Sequence, residues 1–227
     1  MNKRILIVAA HPDDEILGCG ATVARLIREG AVAYTLILGE GITSRDAERN
    51  REKRESKIKR IKLSSITANK IIGVKKVFIY DFPDNRFDTI PLLDIIKVIE
   101  KIKNIVMPDT LFTHYKEDLN IDHQLTYKAV MAAARPLPSE SVREIYAFEI
   151  LSSTEWNYPA AFSPDTFFNV EDTIAVKLKA MKEYKTELKP FPHPRSLGGI
   201  KLNSQYWGMG FNLRYAEVFK SIRRIVE

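Results

Sequence analysis

Short apolar runs alternate with amphipathic stretches through the first half of the chain. Ile5-Leu-Ile-Val-Ala-Ala10 is a continuous apolar run, the pattern of a strand buried on both faces. A helical pattern follows, with Ile16, Gly20, Val23, Ala24 and Ile27 on one face and Gly30 as its stop. Val32 to Leu38 reads as a second buried strand, leaving through the loop Gly39 to Arg45. A charged helix is expected from about Asp46 to Ile72, punctuated by Gly73. Lys76 to Tyr80 is the third strand, Asp81 to Arg86 its exit loop, and Leu92 to Asn104 the next helix. Thr110 to Thr113 forms a fourth strand ending at His114. This β-α-β-α-β-α-β alternation predicts a Rossmann-like, doubly wound α/β fold with a mostly parallel sheet.

The later half is less regular. Asp122 to Ala134 reads as a helix ending before Arg135-Pro-Leu-Pro138, Ile145 to Ile150 as a strand, and Asp172 to Leu188 as a helix. Lys189 to Phe211, rich in Pro, Gly and aromatic residues, is expected to be a long ordered loop, and Arg214 to Arg224 a short closing helix. With 227 residues and neither repeat nor flexible linker, residues 1–227 are expected to form one domain.

Composition narrows the function classes. At 45% hydrophobic and 28% charged, the chain resembles an ordinary globular protein. No apolar stretch is long enough to span a membrane, and no small-residue cleavage site follows the first strand. Cys19 is the only cysteine, which excludes an internal disulfide and a Cys-based zinc site. A reducing, cytoplasmic compartment is the simplest expectation. The net charge of +6 gathers between Arg45 and Lys62, where acids are interleaved and Arg51/Glu55 and Glu55/Lys59 fall at i,i+4 spacing. That pattern reads as a solvated helix face, without a nucleic-acid motif beside it.

Four histidines occur, at 11, 114, 123 and 193. His11-Pro-Asp13-Asp14-Glu15 and His114-Tyr-Lys-Glu-Asp118-Leu-Asn120-Ile-Asp122-His123 both follow predicted parallel strands, so they can meet at the strands' carboxyl ends. His11, Asp14 and His123 together supply two imidazoles and a carboxylate, a set that suits zinc, or Mn, Fe or Co, and leaves room for water. Asp13 then remains as a general base. The same residues admit blander readings: Asp13 or Asp14 as a helix N-cap, and His123 as a core histidine. Asp84 and Asn85 follow strand three and can line the same crevice or simply make a turn. Arg195 offers a cation for a phosphate or carboxylate, or ties its loop down through Glu217 or another acid. The hydroxyls and indole between Glu149 and Trp156 can receive a sugar. Gly18 and Gly20 lack the third glycine of a dinucleotide fingerprint.

Ala10-His-Pro-Asp-Asp-Glu15 followed by Gly18-Cys-Gly-Ala-Thr22, together with Asp122-His123, resembles the PIG-L/LmbE-like de-N-acetylase family. The resemblance extends to Arg45 and to the closing Tyr215-Ala-Glu-Val-Phe219. It implies a Rossmann-like fold and zinc-dependent removal of an N-acetyl group from an amino-sugar derivative, with one zinc per chain. It implies His11, Asp14 and His123 as ligands, Asp13 as base, Arg45 as a substrate contact and Asp122 as a residue tuning a ligand or catalytic group. His114, Asp118, Asn120, Asp84, Asn85 and Arg195 complete the expected substrate surroundings. Asn120 departs from the family's frequent histidine, leaving the general acid to Asp13 and oxyanion support to His114 or Arg45. The expected partner is a small N-acetylated sugar or sugar conjugate, with a homo-oligomer possible and no nucleic acid. Two alternatives stay open: an amidase for a non-sugar amide or thiol conjugate, and a non-enzymatic module that binds a nucleotide-sugar.

Overall fold

A computed structural model describes residues 3–45, 49–159 and 162–226. The first strand, β1 (Arg4–Ala9), is buried from Ile5 onward and leads into α1 (Asp14–Arg28). Next come β2 (Val32–Gly39), α2 (Arg51–Ile72), β3 (Lys76–Phe82), α3 (Leu92–Val106), β4 (Thr110–His114) and α4 (Ile121–Ala133). The remainder consists of β5 (Glu144–Phe148), β6 (Thr166–Asn169), α5 (Ile174–Met181), α6 (Leu197–Met209) and β7 (Ala216–Arg224). They build one seven-stranded sheet of order β3-β2-β1-β4-β5-β7-β6. The strands from β3 to β5 pair in parallel, whereas β7 runs antiparallel to both β5 and β6. The mostly parallel α/β sheet expected from the alternation is therefore present.

Helices cover both faces. On one side α1, α2 and α5 pack around Ile16, Ile61, Phe148 and Tyr184. On the other, α3 and α4 pack around Leu6, Leu36, Ile99 and Val130. Burial on both faces is why the central strands read as unbroken apolar runs. Chain order reverses between β1 and β4, so a crevice opens beyond their carboxyl ends, where the loops diverge to opposite sides. The segments beginning at His11 and ending at His123 occupy that switch point.

The long charged helix obeys the expected partition. Ile58, Ile61, Ser65, Ala68, Asn69 and Ile72 form its buried stripe, and Glu55 pairs with Lys59 at 2.7 Å on the exposed side. Asn50 caps it by accepting the Lys53 N–H, and Gly73 ends it at φ 93°. Its expected first residues, Asp46 to Glu48, lie outside the described residues.

The C-terminal third departs from expectation. Residues 214–224 do not form a helix. Ala216–Arg224 is β7, because β5 offers an unpaired edge and β6, a strand not foreseen, pairs on the other side. The expected loop Lys189 to Phe211 contains α6, capped by Ser196 Oγ accepting the Gly199 N–H at 2.8 Å. Gly199 disguises this helix, but a Cβ there would lie 2.5 Å from the Pro194 carbonyl oxygen, so only glycine permits the approach. The helix expected over Asp172 to Leu188 is confined to Ile174–Met181 and continues as turns. Among the described residues, no helix is long and apolar enough to cross a membrane.

Candidate metal site

The site starts where β1 ends. Pro12 and Asp13 turn the chain sharply, and Asp13 takes a left-handed conformation at φ 99°. A non-glycine residue in that region carries a conformational cost that surrounding contacts must offset. Three contacts bear on the turn: the Asp13 N–H donates to Glu15 Oε2 at 3.1 Å, Asp14 Oδ2 accepts the His11 N–H at 2.9 Å, and Gly41 closes over Pro12. Glu15 is itself held by the Asn69 amide at 2.8 Å and by the Tyr184 hydroxyl. Asp13 stands at the N-cap position of α1, yet its side chain caps nothing.

Three donor atoms converge beside this turn. His11 Nδ1 lies 3.4 Å from Asp14 Oδ2, His123 Nε2 lies 3.3 Å from Asp14 Oδ2, and the two imidazole nitrogens are 3.3 Å apart. A tetrahedral centre with bonds of about 2.0–2.1 Å has ligand–ligand edges of about 3.3–3.4 Å. The triangle has that size. Asp14 Oδ1 is buried and accepts no hydrogen bond, so this carboxylate has capacity in hand. Two neutral imidazoles and a carboxylate fit a zinc-class divalent ion.

Each imidazole turns its other nitrogen toward a carboxylate. His11 Nε2 is 2.8 Å from Asp122 Oδ2, and His123 Nδ1 is 3.0 Å from Asp118 Oδ1. Asp122 is fixed by the N–H groups of Asn85 at 2.7 Å and Phe87 at 2.9 Å. Asp118 accepts the Asn120 N–H at 2.8 Å, the Thr154 hydroxyl at 2.5 Å and the Ser153 hydroxyl. Such acid–imidazole pairs orient a ligand and raise its basicity. A second trio, His11, Asp84 and Asp122, also clusters closely. Its carboxylates already serve other groups, however: Asp84 Oδ2 takes the N–H and hydroxyl of Ser44 at 3.0 and 2.6 Å.

The electrostatics follow from burial and this arrangement. Burial depresses the His123 pKa, but Asp14 and Asp118 outweigh it and hold it at about 9. Burial opposes and Asp122 and Asp14 drive the rise at His11, which ends well above the usual imidazole value. Asp14 is held well below the carboxylate range: burial pushes it up, and His123 and His11 pull it down further. Protons and a divalent cation would compete for these lone pairs, so metal affinity at this set would rise with pH. Asp13 behaves oppositely. Burial raises its pKa, Arg195 offsets part of the rise, and Asp14, Glu187 and Glu15 add to it.

A cavity of about 150 Å³ opens onto the triangle, lined by Asp13, Arg45, Asp84, Asn85, Asn120 and Arg195 among others. Arg195 Nη1 is 3.2 Å from Asp13 Oδ2 and its Nε donates to the Leu151 carbonyl. It therefore anchors to Asp13 and not to Glu217, which pairs with Lys177 at 2.5 Å. Arg45 pairs with Glu187 at 2.5 Å. Asn120 Oδ1 caps α4 by accepting the Asp122 N–H at 2.9 Å, while its amide donates to Asn85 Oδ1 at 2.8 Å.

Two expected substrate contacts do not reach the cavity. His114 is fully buried, stacks on His123 at 4.0 Å and accepts the Ala10 N–H on Nε2 at 2.8 Å. Burial, and then His123, depress its pKa. Asp118 is equally buried, behind His123. Ser153 and Thr154, expected to receive a sugar, spend their hydroxyls on Asp118. The sequence reading missed Ser44, Tyr184 and Glu187. Glu187 carried no signal, because it lies in a stretch that reads as the end of a helix.

Comparison with known proteins supplies relatives for this arrangement. The family model described as GlcNAc-PI de-N-acetylase matches residues 6–134. The uncharacterized deacetylase YaiS of Escherichia coli (strain K12) is 33% identical over 195 residues, covering 82% of this chain and 93% of that protein. Diacetylchitobiose deacetylase of Thermococcus kodakarensis is 25% identical over 225 residues, covering 95% of this chain and 81% of that protein. Among solved structures, the 4-carboxy-2-hydroxymuconate hydratase GalB of Pseudomonas putida KT2440 superposes with a TM-score of 0.75 at 20% identity, over 99% of this chain and 98% of that one. That last likeness shows the fold alone, and a fold of this kind does not fix the reaction.

Proposed function

Since the chain belongs to the GlcNAc-PI de-N-acetylase (PIG-L) family, we propose that residues 1–227 act as one catalytic domain, a zinc-dependent hydrolase that removes an N-acetyl group from an amino-sugar derivative. The observation that carries this reading is the donor triangle of His11 Nδ1, Asp14 Oδ2 and His123 Nε2. Beside it, Asp13 is a second carboxylate that takes no part in the triangle and lines the same cavity. A divalent cation held by the three residues supplies Lewis acidity, polarising an acyl carbonyl and lowering the pKa of a water toward about 7.

The chain's own groups do the rest. Asp122 and Asp118 keep the two imidazoles turned with Nδ1 of His11 and Nε2 of His123 toward the triangle. Asp13 takes a proton from the attacking water and returns it to the departing nitrogen, leaving acetate and a free amine. Its raised pKa suits both halves of that transfer. Neither Asn120 nor His114 takes the acid role in this reading, since Asn120 is an amide that caps α4 and His114 is buried. Arg45, which lines the cavity, is the proposed substrate contact. The names of the family and of the Thermococcus relative support an N-acetylated sugar as the substrate class.

The test is acetate release from a panel of N-acetylated amino sugars and non-sugar amides by metal-replete protein, with mass detection of the amine. Equal amounts of acetate and amine from the sugars are expected. No release from any amide, with metal bound, would overturn the reading; release from non-sugar amides alone would replace its substrate.

A further inference from the structure

Glu15 is fully buried, yet it belongs neither to the donor triangle nor to the cavity lining. Its two oxygens serve different donors. Oε2 accepts the Asp13 N–H at 3.1 Å, while Oε1 accepts the Asn69 amide at 2.8 Å and the Tyr184 hydroxyl. Asn69 lies on α2 and Tyr184 in the segment after α5. The Asn69 amide has one possible orientation, because its Nδ2 also donates to the Ser65 carbonyl at 2.9 Å and its Oδ1 accepts the Thr35 hydroxyl at 2.7 Å. Thr35, Ser65 and Asn69 are fully buried, and Tyr184 is nearly so. The Glu15 carboxylate is thus gripped from α2 and from the segment after α5, with β2 fixing the amide that holds it.

Burying a carboxylate at this point of α1 costs free energy that an apolar side chain would not. What the network secures is the backbone of Asp13. That residue is left-handed, its carbonyl accepts the Ile16 and Leu17 N–H groups at 3.1 and 2.9 Å, and its own N–H is held by Glu15. In the usual capping box a glutamate three residues on reaches back to the N-cap N–H. Here the glutamate stands two residues on. With the peptide groups on both sides fixed, two adjacent carboxylates are aimed apart: Asp14 joins the triangle and Asp13 lines the cavity.

We infer that Glu15 is a positioning residue for the proposed hydrolysis. It holds the Asp13 backbone in the left-handed turn, and Asn69 and Tyr184 hold Glu15, so that the Asp13 carboxylate meets the water from outside the donor set. The reaction rests on the deacetylase reading; the hold on Asp13 rests on the network alone.

The experiment is a double-mutant cycle on metal-loaded protein. Glu15→Gln keeps the size of the side chain but replaces one acceptor oxygen by a donor, so one of the three contacts must break. It should keep its metal and lose about ten-fold or more in kcat, with KM changed less than about two-fold. In the Asp13→Asn background the same substitution should cost less than about two-fold, because the group it positions is already gone. An equal loss in both backgrounds overturns the inference, as does a single variant with unchanged kcat or one that loses its metal. Tyr184→Phe leaves the Asp13 N–H its acceptor and should show the same pattern at about three-fold; where Glu15→Gln does not fold, an unchanged kcat in Tyr184→Phe overturns the inference. If wild type releases acetate from no amide, the deacetylase reading fails and NMR decides the brace. Shifted resonances of the Asp13 amide and the Arg195 Nε–H in Glu15→Gln, or in Tyr184→Phe, support it, and unmoved ones overturn it.

Discussion

Arg195 Nη1 sits 3.2 Å from Asp13 Oδ2, across 182 residues of sequence. The contact ties the Pro-rich segment before α6 to the strained turn after β1 and places a half-buried cation against the proposed base. Asp13 itself is 2% exposed.

Asp13→Asn should keep its metal and lose about 10²–10⁴-fold in kcat, the usual worth of a positioned acid–base group. Metal analysis and kcat measured on one preparation check it. Turnover within a few-fold of wild type would remove Asp13 from the reaction.

Arg195→Met should lower kcat about 10²-fold by loosening Asp13. Because Arg195 lowers the Asp13 pKa, its removal should also shift the acid limb of the pH–rate profile to higher pH. Arg195→Lys should restore part of that shift. A uniform loss with an unmoved limb would mark Arg195 as structural only.

Asp118 is buried, and burial raises its pKa, but His123 and the Ser153 and Thr154 hydroxyls bring it down from 3.8 to about 2. A depressed carboxylate stabilises the fold above its unfolded pKa and loses that contribution as pH falls through the folded one. In metal-free protein the contribution, about 2 kcal/mol, should therefore disappear between pH 4 and pH 2. Urea unfolding should show Asp118→Asn with a flatter pH dependence across that window. The same variant should bind zinc about 10–100-fold more weakly.

Chelation should lower the melting temperature. Metal at about 1,000 times its dissociation constant stabilises by about 4 kcal/mol, worth about 10 °C in a chain this long. Differential scanning calorimetry with and without chelator measures it. His123→Ala should be indifferent to chelator.

Gly18→Ala should destabilise by about 1–3 kcal/mol through overpacking, since the added carbon would lie 2.3 Å from the Phe148 ring. Urea denaturation gives the value. Gly18 thus belongs to the packing of α1 on β5, which accounts for its place in the motif without a phosphate.

Legibility in the sequence follows the range of the forces involved. Helix α6 stayed hidden because Gly198 and Gly199 look like loop residues, and what selects glycine at position 199 is the Pro194 carbonyl 2.5 Å from a notional Cβ. Strand β7 was misread because Ala216, Phe219 and Ile222 fall at helical spacing while Val218 and Glu217 are buried as well. A short apolar run fits either period, and the open edge of β5 settles it. The long-range partners of Asp118 (Ser153 and Thr154), of Arg195 (Asp13) and of Asn120 (Asn85) were equally out of reach, since each comes from a loop elsewhere in the chain.

The sequence by itself determined the β/α alternation, the two acid–histidine segments after strands one and four, and His11, Asp14 and His123 as candidate ligands. Local periodicity and turn chemistry are enough for that, because they act over a few residues. Only the tertiary structure decided that β1 and β4 lie side by side, which brings His11 and His123 within 3.3 Å across 112 residues. It also decided which acid braces which imidazole, and that His114 is buried while Asp13 faces the cavity beside Arg195. Those are pairings between distant segments, fixed by how the sheet is ordered and by what each buried polar group must find as a partner.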